Sequence, residues 1–299
     1  MTIPLPLVAD TGARASRPAG WFERVVSTTS GRVGAGLLVV VLFLVIVGPV
    51  LHEHDPAEVA FGRSLESPSR EHLLGTDQYG RDQVARLLDG GRRSLIAGGL
   101  VLGGVVTISL VAGLAAGLGG RLLDAAITRT IDVVLAIPSL VIALAIVGAL
   151  GPGFWTLVVA LVVAQWASMA RLARSLVLAA VRRPDVLCAR LAGIPSWRIA
   201  LTHVLPGTIA QLLAVATLEL GSVIVAIAGL SFLGLGVQPP QAEWGSMLSD
   251  ARGVFTIAPW LLAGPTAALL MIVTAANLLG DSLRDALDPS TSTISRGTP

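Results

Sequence analysis

RRPDVLCARLAGIPSWRIALTHVLP, residues 182–206, is the long polar-punctuated stretch that lies between two apolar runs and carries a strong positive excess. Arg182, Arg183, Arg190 and Arg198 stand against a single acid, Asp185. Pro184 and Asp185 suit a first helical turn: proline needs no amide donor there, and aspartate favours the positive end of the helix dipole. Val186, Leu187, Arg190 and Leu191 follow at helical spacing. Gly193 is expected to stop that helix, and Pro195 with Ser196 to start the next. The spacing therefore predicts two short helices around a breaker. Such a polar hairpin between membrane spans, on the arginine-rich side, is a docking handle for a soluble partner.

The residues on either side place this hairpin in a membrane protein. Of 299 residues, 54% are apolar by type and 13% are charged, where a soluble domain carries about a quarter charged residues. All 21 basic residues are arginine. A phosphate-binding Walker loop needs its lysine to reach the β- and γ-phosphates, so the chain is not itself a P-loop ATPase. Cys188 is the only cysteine and rules out an intramolecular disulfide. The net charge of +2, with arginines clustered near the ends of apolar runs, fits a membrane topology signal rather than a nucleic-acid surface.

Taken in order, residues 1–32 read as a polar tail with an interfacial piece around Trp21 and Phe22, and not as a cleaved signal peptide. Residues 33–51 form a first charge-free run, close to the roughly 20 residues that a helix needs to cross a bilayer core. Residues 52–93 form a mixed-charge loop, in which Val84, Leu87, Leu88 and Leu95 mark a helix expected to lie at the membrane surface. The core, 94–280, holds the remaining five spans and the 182–206 segment. Its second span, 94–120, is rich in glycine, which permits close helix contacts. A short link, 121–132, leads to the charge-free run 133–170, too long for one helix and broken at Gly151-Pro152-Gly153 into spans three and four. Span five runs from about 207 to 235, a polar loop follows, span six covers about 259–280, and 281–299 is a polar tail.

Counting arginines sets the expected orientation. With the N-terminus inside, 14 arginines fall on inner segments and seven on outer loops. Both termini are then cytoplasmic. Trp155, Trp244 and Trp260 fall near the outer interface, and Trp21 and Trp197 near the inner one.

Several polar residues stand out against this background. In HLLGTDQYGRD, 72–82, Gly75 and Gly80 permit tight turns, and Asp77, Arg81 and Asp82 can pair with one another. The segment reads either as a capped loop that positions the following helix or as a surface that meets an external partner. His52-Glu53-His54-Asp55 offers metal-ligand types, but reads more simply as the solvated start of a loop, and no metal site is assigned. Glu219 lies inside an apolar span, where a carboxylate is expensive and usually faces a water-filled path or a partner. Gln165, Asn277 and Asp281 read as helix–helix hydrogen-bonding groups. In GLSFLGLGVQPPQAEWGSML, 229–248, glycines and Pro239-Pro240 end span five, and Trp244 with Met247 offers an apolar re-entrant cap. No constellation of nucleophile and base, and no paired intramembrane aspartates, supports catalysis.

HLLGTDQYGRD, LSFLGLGVQPPQAEWGSML and NLLGDSLRDALDP (277–289), in this order and spacing, resemble the integral-membrane permease subunits of ATP-binding-cassette importers for dipeptides and oligopeptides, in particular the second, C-type permease. The resemblance covers about 30–289. Residues 182–206 are similar to the cytoplasmic signature of such permeases: Glu-Ala-Ala, three residues, Gly, nine residues, Ile, one residue, Leu-Pro. Ala189, Gly193, Leu205 and Pro206 match, while Leu187, Cys188 and His203 replace Glu, Ala and Ile. In a region around Ile227, relatives often carry Glu; here the carboxylate is Glu219.

The resemblance implies an all-α membrane protein with six transmembrane helices of the type I importer permease fold. It implies coupling to ATPase subunits through Asp185, Val186, Leu187, Ala189, Arg190, Gly193, Leu205 and Pro206, with Glu219 as a candidate pathway residue. Gly75, Asp77, Arg81, Asp82 and Trp244 are expected on the side of an external binding protein. The implied partners are a second homologous permease, two ATP-binding cassette subunits (or one fused chain), an extracytoplasmic substrate-binding protein and membrane lipid, with no nucleic acid. ATP and magnesium belong to the ATPase partners, and no cofactor is expected in this chain. The expected location is the bacterial cytoplasmic membrane. A nickel or other small-solute permease of the same family is the alternative, and a stand-alone secondary transporter would show repeated halves and more intramembrane charge.

Overall fold

A computed structural model describes residues 27–287. The N-terminal tail with Trp21 and Phe22, and residues 288–299 of the C-terminal tail, lie outside the described residues. All long regular elements among the described residues are helical: α1 (Thr29–Leu51), α2 (Gln83–Leu118), α3 (Arg121–Leu135), α4 (Ser139–Leu150), α5 (Phe154–Ala180), α6 (Pro184–Leu191), α7 (Ser196–Ile199), α8 (Leu205–Phe232), α9 (Trp244–Arg252) and α10 (Ala263–Leu287). Five helical stretches are long and apolar enough to span a bilayer, and α3 with α4 makes a sixth span if the bent pair counts as one. The chain is thus an all-α membrane protein with up to six spans.

The spans run alternately up and down. Helix α2 packs along α5, and the contact is parallel, because residues 104, 113 and 117 of α2 meet Val162, Ala173 and Val177 of α5 in the same order. A Cβ added at Gly113 would stand 2.6 Å from the Ala173 Cβ, and one at Gly117 would stand 2.3 Å from Val177. The small residues thus let the two backbones approach as the glycine-rich composition of this span predicts. Val101, Val105, Leu157 and Leu161 fill this interface together with Val223 and Ile227 of α8. Helix α10 packs against α1 on one side and α8 on the other. The 52–82 loop caps one end of the bundle, and the 182–206 hairpin lies at the other, against Leu114 and Leu118 of α2. Thr28 donates to Ser282 at 3.1 Å, so the two described chain ends meet at the end away from the loop.

Three expectations need correction. The helix expected at the membrane surface is not separate from the second span: one 36-residue helix runs from Gln83 to Leu118, with Asp82 as its N-cap. Arg86, Asp89 and Arg93 interrupt the apolar pattern without breaking the helix, because each has a partner of opposite charge: Arg86 meets Asp77 and Asp250, and Asp89 meets Arg93. The second difference is the 121–132 link, which is itself helix and continues to Leu135. The break comes at Pro138, where the chain bends by 85°, since the residue before a proline is pushed out of the helical region. Helix α4, with 12 residues, is about 18 Å long and too short to cross a core of about 30 Å alone. Asp124 of α3 pairs with Arg174 through both oxygens, at 2.5 and 2.8 Å. Thirdly, Trp244 does not join an interfacial belt: it is 1% exposed, packs with Val45 and Ile272, and donates its indole N–H to the Leu87 carbonyl at 3.0 Å.

Candidate functional site

In the hairpin, α6 begins with Pro184 and Asp185, and Asp185 pairs with Arg183 in an exposed contact of 3.0 Å, which contributes little. Val186 and Ala189 turn inward and pack with Val177, Ile199 and Val204. Gly193 has φ +77°, a left-handed conformation that glycine adopts without steric cost. Its N–H donates to Arg190 O at 3.0 Å, and the N–H of Ile194 donates to Ala189 O at 3.1 Å, which closes the end of α6. Leu187, Leu191 and Trp197 point outward, at 47%, 89% and 66% exposure, and Arg190 and Cys188 are exposed beside them.

The second helix of the hairpin departs from expectation. It does not end before span five: from Ser196 to Phe232 the helix is continuous over 37 residues. A wide turn at Ala200–Val204 joins α7 to α8. Pro206 explains its place. In a regular helix its ring would clash with the carbonyl four residues earlier, at Thr202, and a locally widened turn relieves that crowding. Leu205 and Pro206 are therefore not a terminus but a seam, across which the hairpin and a membrane span form one body.

Glu219 lies on that same body, 14 positions beyond Leu205, or about 21 Å along the helix. Its side chain is exposed and lines an open recess of ≈ 110 Å³ with Gln165, Ser168 and Met169 of α5 and Leu102 and Val105 of α2. Ile227, by contrast, is buried in the core between α2, α5 and α8, so Glu219 does not occupy the position that a carboxylate at Ile227 would.

The 52–82 loop is closed on itself. Asp77 Oδ1 accepts from the N–H groups of Tyr79 (2.8 Å) and Arg81 (3.0 Å), and Oδ2 accepts from Arg81 Nε at 2.7 Å. Arg86 approaches Asp77 Oδ2 at 3.3 Å and donates to Asp250 at 3.2 Å. Burial raises the Asp250 carboxyl above the usual range, although Arg86 and Arg81 oppose it. Gly80 is required by the turn: φ is +75°, and a Cβ would lie 1.9 Å from the Ala60 carbonyl oxygen. Gly75 is buried, with its carbonyl accepting from Gln83 N–H at 3.1 Å. Asp82 accepts from Ala85 N–H at 2.7 Å, and both His52 and His72 approach it at 2.8 Å. Burial works against ionisation of Asp82, but these three contacts together hold its carboxyl below the usual range.

Residues 109–293 match the family described as binding-protein-dependent transport system inner membrane component. The chain belongs to this family. It is 38% identical to the dipeptide transport system permease protein of Alkalihalophilus pseudofirmus, over 85% of this chain and 84% of that one. It is 40% identical to the di/tripeptide transport system permease protein of Pseudomonas aeruginosa, over 91% and 92% of the two chains. Identity to the nickel transport system permease protein of Escherichia coli K12 is 41%, over 79% and 85%.

Within this permease the residues singled out in the sequence divide into two kinds. Leu187, Arg190, Gly193 and Pro206 are exposed around the hairpin, with Val186 and Ala189 forming its inner face. Asp77, Arg81, Asp82 and Trp244 were expected on a surface that meets an external partner, and each is at most 4% exposed. As they stand they offer no contact surface. Asp77, Arg81 and Asp82 hold the loop, the alternative stated for HLLGTDQYGRD, while Trp244 packs among the helices. The family match begins at residue 109, inside α2, and so leaves this loop outside it.

Other members of the framework are less visible in the sequence. Glu243 is buried, caps α9 through the N–H groups of Gly245 (3.0 Å) and Ser246 (3.2 Å), and accepts from Ser94 Oγ at 2.9 Å. The signal was present: Ser246, three residues after Glu243, returns a contact to the Glu243 N–H at 3.1 Å, a reciprocal capping box. His72, Arg86 and Asp250 carried no local signal, since their partners are distant in sequence or on another element.

Proposed function

We propose that this chain is one of two permease subunits of an ATP-driven importer for dipeptides or oligopeptides in the bacterial cytoplasmic membrane. Both termini and the hairpin face the cytoplasm. A second, similar permease completes the path, two ATP-binding cassettes bind the hairpin, and a substrate-binding protein docks on the loop side. ATP and magnesium are held by the cassettes.

The observation that carries this reading is the single helix from Ser196 to Phe232. At one end it bears an apolar, outward-facing surface at the hairpin; about two-thirds of a bilayer thickness away it bears an exposed carboxylate. A carboxylate inside an apolar span does not face lipid, so the surface around Glu219 needs a water-filled path or a partner chain. A force applied to Trp197 reaches Glu219 through continuous helix, and one applied to Leu187 or Leu191 passes first through the Gly193 turn. Nucleotide-driven closure of the cassettes then shifts the permease pair between inward- and outward-facing states, and the coupling between ATP and substrate sites is reciprocal. No covalent chemistry is required of this chain.

Peptides are favoured as cargo by the dipeptide and di/tripeptide permeases among the relatives; the nickel permease supports the second reading. Uptake into vesicles holding the complete importer decides between them. ATP-dependent accumulation of a labelled dipeptide, with no Ni²⁺ accumulation, is the expected result. Transport of Ni²⁺ alone overturns the peptide assignment. In the same vesicles Glu219→Gln is expected to change KM or substrate-stimulated ATP hydrolysis. Unchanged uptake kinetics would place Glu219 among structural polar residues.

A further inference from the structure

Three of the four histidines of the chain converge in the loop between α1 and α2. The ring of His54 lies 5.1 Å from that of His52 and 5.0 Å from that of His72. His54 and His72 border a polar cavity of ≈ 320 Å³ lined also by Asp55, Glu58, Arg63 and Asp82. One ligand atom from each of His54, Glu71 and His72 can be chosen so that all three lie within 4.8 Å of one another. We propose that His54, Glu71 and His72 form a binding site for a borderline divalent cation, Zn²⁺ or Ni²⁺, with Asp82 as the carboxylate that orients His72. This site is independent of the solute that crosses the membrane.

The geometry around His72 supports the assignment. Its Nδ1 lies 2.8 Å from Asp82 Oδ2, and Asp82 is itself anchored by the Ala85 N–H at the start of α2. The carboxylate accepts the Nδ1 proton, which leaves the Nε2 lone pair free to bind a metal. A carboxylate–histidine–metal relay fixes ring and tautomer in this way. The Nε2 atom faces Arg63 Nη1 at 3.3 Å, and the same Nη1 donates to Glu71 Oε1 at 2.5 Å. A guanidinium nitrogen thus stands where the cation would bind, between two of its proposed ligands. Arg63 and Glu71 are about half exposed, and such a pair is readily exchanged. The second grouping, His52, His54 and Asp82, is disfavoured because both oxygens of Asp82 already accept from His52, His72 and Ala85. Two imidazoles with one carboxylate select Zn²⁺ or Ni²⁺ over the all-oxygen sites of Ca²⁺ and Mg²⁺. The bound ion would tie the outer end of α1 to the loop at 71–72 and, through Asp82, to the N-cap of α2.

Full-length permease, purified in detergent and stripped with chelator, tests this by calorimetric titration with ZnCl₂ and NiCl₂. Absorption of bound Co²⁺ reports the ligand set. One ion per chain at micromolar or lower Kd is expected. His54→Ala and Glu71→Gln each should weaken binding by about tenfold or more and alter the Co²⁺ bands. Arg63→Gln should tighten it, because the competing guanidinium is gone; a merely adventitious surface ion would not respond in this sense. All three positions lie on the loop surface, and melting curves in chelator check that each variant is folded. No stoichiometric binding by the wild type, or binding unmoved by His54→Ala and Glu71→Gln in folded protein, overturns the proposal.

Discussion

The two ends of this permease solve opposite problems with similar residues. At the loop end, in the segment 77–86, charge is turned inward: Asp77, Arg81, Asp82 and Arg86 are buried and meet partners within the chain. At the hairpin end, between 182 and 206, charge and apolar surface are turned outward, and Leu191 and Trp197 rank among the most exposed large side chains. A loop that satisfies its own ions is a scaffold. A helix that leaves leucine and tryptophan uncovered beside arginine needs a second surface, because exposed apolar side chains grouped together mark interaction sites. On the proposed function, stability belongs to one end and coupling to the other, and that contrast can be broken by variants that move the wrong property.

The largest effect on the chain itself is expected from Asp77→Ala. It leaves Arg81 buried without its 2.7 Å partner and removes the acceptor of two turn amides. Breaking a buried pair from one side destabilises by about 3–5 kcal/mol. A large fall in the thermal midpoint in detergent, or loss of folded yield, is the result to look for. A midpoint unchanged within error would mean that the loop end is not the scaffold described.

An intermediate effect is expected from Gly193→Leu. At φ +77° a side chain is strained by about 1–2 kcal/mol, but no other atom lies within 4 Å of the added Cβ. The chain should fold with a modestly lower midpoint. The partner should notice more, since the turn fixes the angle between α6 and the long helix. Reduced co-purification of the ATPases and loss of transport are expected. Normal transport by the variant would remove the hairpin from the coupling route.

The difference between the two ends also explains what the sequence made legible. Local signals are legible: Pro184 and Asp185 at a helix start, Gly193 at a stop, and the break at Gly151-Pro152-Gly153 all concern residues within a few positions of one another. Pro138 is equally local, but it sits inside a charge-free run whose length alone fits a span starting at residue 133. Burial was not legible. Nothing in HLLGTDQYGRD distinguishes a charged surface from a charged interior, because the answer depends on Arg86, Asp250 and His52, which arrive from other turns and elements. Residue type alone places Trp244 at an interface, whereas it fills the gap between α1, α2 and α10. In the hairpin, exposure agreed with polarity, so the pattern of residues and the surface they form coincide.

The smallest effect on the chain, and the sharpest test of the comparison, comes from Leu191→Ser. Leu191 is 89% exposed, so the substitution removes almost no packing within the subunit, and stability should change by no more than about 0.5 kcal/mol. At a docking surface the same change removes an apolar anchor. Truncating a central anchor typically weakens an interface by about 2 kcal/mol or more, a factor near 30 in affinity. Thermal melting of the isolated permease and retention of the ATPase subunits on a column therefore separate the two contributions. An unchanged midpoint with lost retention assigns this face to the partner. An unchanged midpoint with full retention would leave Leu191 facing water or lipid headgroups, and the burden of coupling would shift to Leu187 and Trp197 on either side of the Gly193 turn.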